Sequence, residues 1–417
     1  MALTSARFQS HLVPFYDAPR WVVAFSGGAD SHVLLHLLAS LDRHPPLIAL
    51  HINHGLQSVA DEWEIHATLV CEDLQIDFQS VSVAVDAQSG DGIEQAARKA
   101  RYQAFVDFMQ TNDVLMMAHH ADDQVETVML NLLRGGGVAG SKGIPVARTL
   151  GAGSLLRPLL ESSREQIITY ATQHDLEWIE DPSNASLQHD RNYLRHQVLP
   201  VIGQRWPALR TTLARSANHA QEAEQLLSEL AQQDMSACAY EPATNTLSVT
   251  ALLGLSEPRR NNVLRQWISK GGMQAPSAAV LEEISATVLA AAEDATPLVQ
   301  LQDTEIRRFA GKIWLVPAMR ELDTSVQAWD LQSDLVIVGA SEVSLAWWQQ
   351  NLTINTAVEI RFRQGGERCK PRGRSHSQSL KKLLQEYAVP PWLRDRIPLL
   401  YLDGQLLAVG EYWVCEI

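Results

Sequence analysis

Cysteine is scarce. The 417 residues hold four, Cys71, Cys238, Cys369 and Cys415, far apart and in no CxxC pair. That spacing signals neither a disulfide framework nor a zinc or iron–sulfur knuckle, and the four read as buried or incidental thiols in a reducing compartment. Long apolar runs are missing as well. Nowhere do about 18 apolar residues follow one another as a spanning helix requires. The opening "MALTSARFQSHLVPFYDAPR" carries no apolar core of a secretory signal, so the cytoplasm is the expected location. Positive charge is in deficit, 34 Lys and Arg against 48 Asp and Glu for a net charge of −14. At face value this argues against a nucleic-acid partner, whose phosphates need local Lys and Arg. Repeats and low-complexity tracts are absent. What remains, 46% hydrophobic and 20% charged residues, is enough for buried cores in two or three domains.

From Trp21 to about Leu133, short β-branched runs alternate with longer amphipathic segments. "WVVAF", "LIALHINH", "FQSVSVAV" and "DVLMMAHH" read as strands, with helices beginning near Ser31, Asp61, Gly92 and Ala121. Such alternation predicts an α/β fold, a doubly wound, mainly parallel sheet whose ligand sits at the carboxyl ends of the strands. "SGGADS", "HINHGLQ" and "AHHADDQ" fall at those ends. Beyond "RGGGVAGSKGIP", read as a flexible active-site lid, come a strand or turn, a helix from about Ser163 and another over Arg191 to Val198. A long helix is predicted over roughly Ala208 to Gln233. Further helices follow in "EPRRNNVLRQWISK" and "SAAVLEEISATVLAAA", then a hairpin "EIRRFAGKIWLVP" turning at Ala310-Gly311. The stretch from Glu321 to about Ser333 reads as a linker, and short strands around a helix near Gln378 to Tyr387 close the chain. The expected domains are a catalytic one over 1–207, a bridge helix with a helical middle domain over 208–325, and a small α+β domain over 326–417.

The loop "SGGADS" (26–31) carries the first chemistry. Its glycines permit positive φ and close backbone approach, so successive N–H groups can cradle an anion at the start of a helix. Ser26 and Ser31 can donate hydroxyl hydrogen bonds. The carboxylate of Asp30 would repel phosphate unless a divalent cation lay between them, which makes it a Mg²⁺ candidate. Two glycines alone would mark any turn of a doubly wound fold; serines and an aspartate directly after a strand suit pyrophosphate plus metal.

SGGxDS resembles the signature loop of the N-type ATP pyrophosphatases, which cleave ATP to AMP and pyrophosphate while adenylating a carbonyl or amide oxygen. The lysine of γ-phosphate-transferring loops is absent, as that resemblance implies. "GIEQAARKARY" (92–102), "AHHADDQVETVMLNLLRGGG" (118–137), "RPLLESSREQI" (157–167) and "EDPSNASLQHDRNYLRHQVLP" (180–200) together resemble the tRNA(Ile)-lysidine synthase family, in the family's order. The resemblance implies an adenine nucleotide alpha hydrolase-like fold. It also implies an ATP-dependent ligase that joins free L-lysine to C2 of the wobble cytidine of tRNA(Ile) with a CAU anticodon. Adenylation of the cytosine O2 would release pyrophosphate, displacement by lysine would release AMP, and decoding would change from AUG to AUA. The implied partners are that tRNA, lysine and ATP with Mg²⁺, without a membrane; a homodimer is left open.

In "HHADDQVE" the first helical turn holds acidic side chains where the helix dipole favours them. Asp122 and Glu126 share one face and Asp123 an adjacent one. Asp122 and Glu126 are the candidates for holding or deprotonating lysine, with His119 and Asp123 nearer the nucleotide; capping plus a solvated face is the plainer account of the two aspartates. The nucleotide-binding candidates are Ser26, Gly27, Gly28, Ala29, Asp30, Ser31, His54 and His119. His54 could equally be structural, and His51 reads as packed in its strand. Arg101 is aimed at phosphate or tRNA, while a Glu94–Arg98 ion pair is an ordinary account of its helix. Arg134 can cap a helix as easily as bind anything. Arg191 and Arg195, one helical turn apart, suit paired contacts to phosphate or RNA, and Asn192 can add a polar one.

The charge deficit reverses locally near the C-terminus. "EIRFRQGGERCKPRGRSHSQSLKKLLQEYAVPPWLRDRIP" (359–398) has ten Lys or Arg against four acidic residues. Arg361, Arg363, Lys370, Arg372, Arg374, Lys381 and Lys382 make it an RNA-backbone candidate, although a solvated basic face would look the same. It also resembles the family's C-terminal domain, through "KPRGRS" followed by "KK" and "PPWLRDRIP". Thiolases and glutamine-dependent synthetases that share the loop need cysteines in places where this chain has none. An RNA-binding adaptor would have lost Asp30 or the acidic octet.

Overall fold

The computed structural model describes residues 3, 6–53, 60–85, 93–181, 186–292 and 295–416. Contacts divide the chain into two compact units, Met1–Leu226 and Leu227–Ile417.

In the first unit, helix α1 (Ala6–Leu12) precedes β1 (Trp21–Ala24), α2 (Ala29–Ala39), β2 (Leu47–Asn53), α3 (Ala60–Asp73), β3 (Asp77–Ser82), α4 (Ile93–Phe108), β4 (Val114–Met116) and α5 (Ala121–Leu133). Then come α6 (Gly137–Ser141), β5 (Ala147–Leu150), β6 (Gly153–Leu156), α7 (Arg164–Gln173), α8 (Asp190–Tyr193), a π-turn over Leu194–Val198, and α9 (Leu199–Arg205). The strands form one sheet in the order β3-β2-β1-β4-β6-β5, parallel except for the antiparallel edge strand β5. Strand order therefore reverses between β1 and β4, and their carboxyl ends open the crevice in which such sheets bind ligands.

Both faces of the sheet are covered at its centre, which is why its central strands read as near-continuous apolar runs while the edge strands β3 and β5 do not. Trp21, Val23 and Phe25 pack on one side with Leu34, Leu38, Ile167 and Ala171. Val22 points to the other side, into a core with Leu50, Phe105, Leu115 and Leu155. This period-two alternation leaves no polar position inside β1, so polar chemistry begins where the strand ends.

Helix α10 (Leu209–Ala237) runs across the boundary between the units. The second unit continues with β7 (Thr246–Ser248), α11 (Val249–Gly254), α12 (Glu257–Lys270), α13 (Ala278–Glu283), β8 (Leu298–Leu301), β9 (Thr304–Phe309) and β10 (Lys312–Pro317). Its first sheet, β7-β10-β9-β8, closes over a core containing Trp267, Ile284 and Ile313. The predicted hairpin is present: Ala310 (φ 50°) and Gly311 (φ 72°) take the left-handed conformation that a two-residue turn demands between twisted strands.

The chain then forms β11 (Gln327–Trp329), α14 (Leu345–Asn351), β12 (Val358–Arg361), β13 (Arg368–Cys369), β14 (Gln378–Ser379), α15 (Leu380–Glu386), α16 (Pro391–Arg394), β15 (Leu399–Leu402), β16 (Gln405–Val409) and β17 (Trp413–Val414). The order β11-β12-β15-β16-β17 gives a second, antiparallel sheet.

Three expectations are corrected. The stretch read as a linker contains β11, because Trp329 buries its ring against Trp348 at a centroid distance of 5.4 Å and anchors the strand. The glycine-rich stretch read as a flexible lid holds α6. Two side chains from α5 pin it: Asn131 donates to the Gly140 carbonyl (2.8 Å), and Gln124 bonds both backbone groups of Ile144 (3.1 and 2.5 Å). Finally, Cys369 and Cys415 form a disulfide with Cα atoms 5.7 Å apart. A sequence separation of 46 hid this pair; the backbone bridge between Pro371 and Cys415 brings the two strand ends together. Cys71 and Cys238 are free and buried. Among the described residues no helix is long and apolar enough to cross a membrane.

Candidate active site

The first element of the site follows from how β1 ends. Gly27 has φ +79°, and a Cβ there would lie 3.3 Å from Ile179 Cδ1, so both conformation and space favour glycine. Gly28 differs from expectation: at φ −78° it is extended and serves as the N-cap of α2. Only one glycine of the pair uses positive φ. Ser31 donates its hydroxyl to the Gly28 carbonyl (3.0 Å) and accepts from the Ser26 backbone N–H (3.2 Å), while the two serine oxygens lie 3.1 Å apart. These bonds close the loop over the start of α2, where free N–H groups and the helix dipole favour an anion. Ala29 is buried as the first residue of that helix.

A cavity of ≈ 470 Å³ opens beside the loop, within the usual range of small-molecule sites. Ser26, Asp30, Ser31, His51, Asn53, Arg101, His119 and Asp123 supply polar lining, and Phe25, Leu50, Ile52, Phe105 and Met117 supply apolar lining. His51 is buried in β2 with Nδ1 3.0 Å from the Phe25 carbonyl, as its strand position predicted. His54 and the side chain of Glu94 lie outside the described residues. Arg98 stacks its guanidinium over Tyr102, 5.2 Å from the ring centroid. Burial makes Arg101 harder to keep charged, and its Nε is buried without a hydrogen-bond partner. A buried guanidinium facing a cavity is suited to an anionic ligand.

Asp30 Oδ1 is also buried without a partner. Burial raises the Asp30 pKa, opposed by the nearby charges of His120 and Arg164. Among the described residues no group of three or more His, Cys, Asp or Glu side chains could hold a metal ion. A cation at Asp30 would therefore need the nucleotide's own phosphates as further ligands, which is the usual way Mg²⁺ binds. The orphaned oxygen fits that arrangement.

The second element is the start of α5, which begins as expected at Ala121. Asp123 accepts from the His120 backbone N–H (2.9 Å), the local bond that fixes this helix terminus. Asp123 and Glu126 meet Arg191 and Arg195. Glu126 accepts Arg191 Nε at 2.7 Å and Arg195 Nε and Nη2 at 2.5 and 2.9 Å, while Asp123 accepts Arg191 Nη2 at 3.0 Å and Arg195 Nη2 at 3.4 Å. The Glu126 side chain is only 1% exposed. Burial would raise the Asp123 pKa, but His120 and Arg191 hold it below the ordinary carboxylate value.

Asp122 points elsewhere. It accepts Arg210 Nε at 2.5 Å and the Arg164 backbone N–H at 2.9 Å. With Glu126 it lines a second cavity of ≈ 400 Å³ that also presents Arg164, Arg195, Arg210, Leu199 and Leu209. The shared face predicted for Asp122 and Glu126 is thus real, and it fronts a chamber with charges of both signs and an aliphatic wall. Asn192 donates to the Ser186 carbonyl (2.9 Å), and Arg134, the C-cap of α5, pairs with Asp190 (2.9 Å).

His119 lies between the two elements. Burial lowers its pKa to about 3, despite the opposing charge of Asp123. Arg157 Nε donates to His119 Nδ1 (3.3 Å). Since Nδ1 accepts, the neutral ring carries its proton on Nε2 and acts as a donor there.

In the second unit the basic run is more neutralised than its composition implies. Arg361 pairs with Glu359, Arg363 with Asp395, Lys370 with Glu416, and Arg374 with Glu386. Arg372 donates to the Asn351 carbonyl (3.1 Å). Lys381 and Lys382 are exposed on α15.

A PP-loop domain model matches residues 2–202. A TilS substrate binding domain model matches 247–314, and a TilS substrate C-terminal domain model matches 358–417. The tRNA(Ile)-lysidine synthase of Coxiella burnetii is 43% identical over 94% of this chain and 89% of its own length. The chain belongs to the tRNA(Ile)-lysidine synthase family. The Pseudomonas fluorescens synthase is 42% identical over 97% of this chain and 92% of its own length. The synthase of Methylococcus capsulatus is 38% identical over 100% and 96%. The family's PP-loop domain coincides with the doubly wound sheet and both site elements.

His120, Arg157 and Arg164 join the site although none of them stands out in the sequence as a candidate. His120 is 1% exposed, with Nε2 3.7 Å from Asp30 and 3.4 Å from Asp123. Arg164 reaches Asp30 at 3.4 Å. The signal available was the adjacency of "HH" to the acidic helix and the arginines flanking "PLLESS". Arg210, the partner of Asp122, stood in a stretch read only as a bridge.

Proposed function

We propose that the protein ligates free L-lysine to C2 of the wobble cytidine, position 34, of tRNA(Ile) with a CAU anticodon, consuming ATP and releasing AMP and pyrophosphate. One observation carries the reading: the SGGADS loop and the acidic helix α5 flank one cavity at the strand-order reversal of a PP-loop sheet.

ATP lies with its phosphates over Ser26, Gly27, Gly28, Ala29 and Ser31, which orient the α-phosphate toward the base. Asp30 would hold Mg²⁺ together with those phosphates, and the cation supplies neutralising charge on the departing pyrophosphate. Arg101 and the Nε2–H of His119 donate to phosphate oxygens. His54, next after Asn53 in the sequence, is assigned to the same nucleotide set. In the first step the cytosine O2 attacks the α-phosphorus and the bond to the β-phosphate oxygen breaks. In the second the lysine ε-amine attacks C2, its proton passes to a carboxylate, and AMP leaves with the O2 oxygen.

Of Asp122 and Glu126, the two candidates for the lysine substrate, the tasks are divided. Asp122 meets the amine directly from the smaller chamber. Glu126, saturated by two guanidinium groups, works together with Asp123 to hold Arg191 and Arg195 where they face nucleotide or RNA phosphate, and Asn192 steadies the turn that carries them. Arg361, Arg363, Lys370, Arg372, Arg374, Lys381 and Lys382 supply the RNA-backbone surface. Residues 1–207 form the catalytic domain, 208–325 the bridge and middle domain, and 326–417 the basic tRNA-binding domain. The protein works in the cytoplasm beside its tRNA, and a homodimer is compatible with these roles.

Incubation with the tRNA, ATP, Mg²⁺ and lysine, followed by mass spectrometry of the digested tRNA, tests the reading. A lysine adduct on the wobble cytidine is expected, and Asp30→Ala should abolish it. Absence of the adduct, with ADP as the nucleotide product, would overturn the reading.

A further inference from the structure

Arg164 touches both site elements, through its backbone on one side and its side chain on the other. It occupies the first position of α7, whose N-cap Ser163 accepts from the Gln166 N–H and whose Gln166 side chain accepts from the Ser163 N–H. That reciprocal cap fixes the backbone at Arg164. From there its N–H donates to Asp122 Oδ2 (2.9 Å), and its guanidinium Nη1 reaches 134 residues back in sequence to Asp30 Oδ2 (3.4 Å).

The quality of that contact is informative. Glu126 is held by two arginines at 2.5 to 2.9 Å and is 1% exposed. Asp30 has a single long arginine contact, the Arg164 side chain is 47% exposed, and the other carboxylate oxygen has no partner. A bidentate, buried pair is expensive to open, whereas one long, half-exposed contact exchanges readily. His120, whose Nε2 is 3.7 Å from Asp30, is 1% exposed and held in place by the helix start. Of the described groups around Asp30, the Arg164 side chain is therefore the one with freedom to leave.

We propose that Arg164 is an exchangeable counter-ion. It neutralises Asp30 before the metal–nucleotide complex arrives, then swings off to the pyrophosphate that leaves when the α-phosphorus is attacked. The proposal rests on the reading of Asp30 as the metal seat. In the metal-free protein the guanidinium competes with any cation for Asp30. Once displaced it stays within a side chain's reach of the SGGADS loop, where its charge meets the electron pair developing on the leaving phosphate oxygen. The backbone bond to Asp122 keeps the pivot in place during this change. Arg164 thus acts on the reaction in two opposite directions, which separates this role from a purely structural one.

The test uses the full chain, with Mn²⁺ as probe. Mn²⁺ binding to the protein saturated with an α,β-methylene analogue of ATP, whose phosphates complete the ligand set, is followed by electron paramagnetic resonance, and pyrophosphate–ATP exchange is measured separately with the tRNA present. Arg164→Ala should tighten Mn²⁺ binding severalfold, because the competitor is gone, while slowing exchange by about tenfold or more, because a charge on the leaving group is lost. Arg164→Lys should restore most of the exchange rate and return Mn²⁺ affinity toward the unsubstituted value. Asp30→Ala should lose the Mn²⁺ site. If Asp30→Ala binds Mn²⁺ unchanged, the metal seat itself is wrong and this proposal falls with it. If Asp30→Ala loses the site but Arg164→Ala leaves Mn²⁺ affinity unchanged or weaker, the seat stands and the counter-ion role is overturned.

Discussion

The same chemical pairing, arginine with carboxylate, appears in both units and means different things in each. In the first unit Glu126, Asp123, Arg191 and Arg195 form a closed quartet with carboxylate side chains 1% and 13% exposed. In the second unit Arg374–Glu386 and Arg361–Glu359 are short but solvent-facing, with Glu386 and Glu359 side chains 46% and 51% exposed. A buried pair is costly to break, since the survivor is left charged away from water. An exposed pair trades its partner for water or for another anion at little cost. On the proposed function the quartet would serve as scaffold, holding arginines in a fixed pose, and the C-terminal pairs would be reserve charge for an RNA backbone to take over.

Glu126→Ala should break this contrast most severely. Leaving two part-buried guanidinium groups with Asp123 as their remaining carboxylate partner in the quartet should cost about 3 kcal/mol in denaturant unfolding, and AMP formation should be lost as Arg191 and Arg195 drift. Combined Arg372→Glu and Arg374→Glu comes next. Filter binding should show tRNA affinity falling by roughly tenfold or more, with ATP binding and the unfolding midpoint of the first unit unchanged.

The pH dependence sharpens the same comparison. Burial holds the His119 pKa at about 3 in the folded protein, below the ordinary 6.5. Between those values the unfolded chain takes up a proton that the folded chain refuses, so this group's contribution to stability falls as pH falls through that window. His119→Asn should make the decline in Tm from pH 7 to pH 5 shallower. The smallest effect is expected from Glu386→Ala. Tm should not move, while the slope of log tRNA affinity against log salt should steepen by about one charge as Arg374 is freed for phosphate.

How much of this was legible beforehand depends on the range of the interaction. The parallel sheet, the loop after β1 and the start of α5 are written in local periodicity and turn chemistry, and the structure has them within a few residues. Positive φ at Gly27 was legible; the extended Gly28 was not, because a glycine permits both conformations. Asp122, Asp123 and Glu126 were recognisable as a group, but their division was hidden. The arginines that sort them lie 42 to 88 residues away in sequence, at Arg164, Arg191, Arg195 and Arg210. Helical spacing shows which side chains share a face and says nothing of what covers it. The Cys369–Cys415 pair and the β11 strand escaped for the same reason, since each is defined only by a distant partner.

The central claim is that the SGGADS loop and α5 direct cleavage between the α and β phosphates onto a tRNA base. The most direct measurement is a single-turnover reaction with ATP labelled at the α-phosphate, run with the tRNA but without lysine. The account predicts that label accumulates on the tRNA as an adenylate, is discharged as AMP when lysine is added, and never forms with Asp30→Ala. Label recovered as ADP, or none on the tRNA at any time, would contradict it.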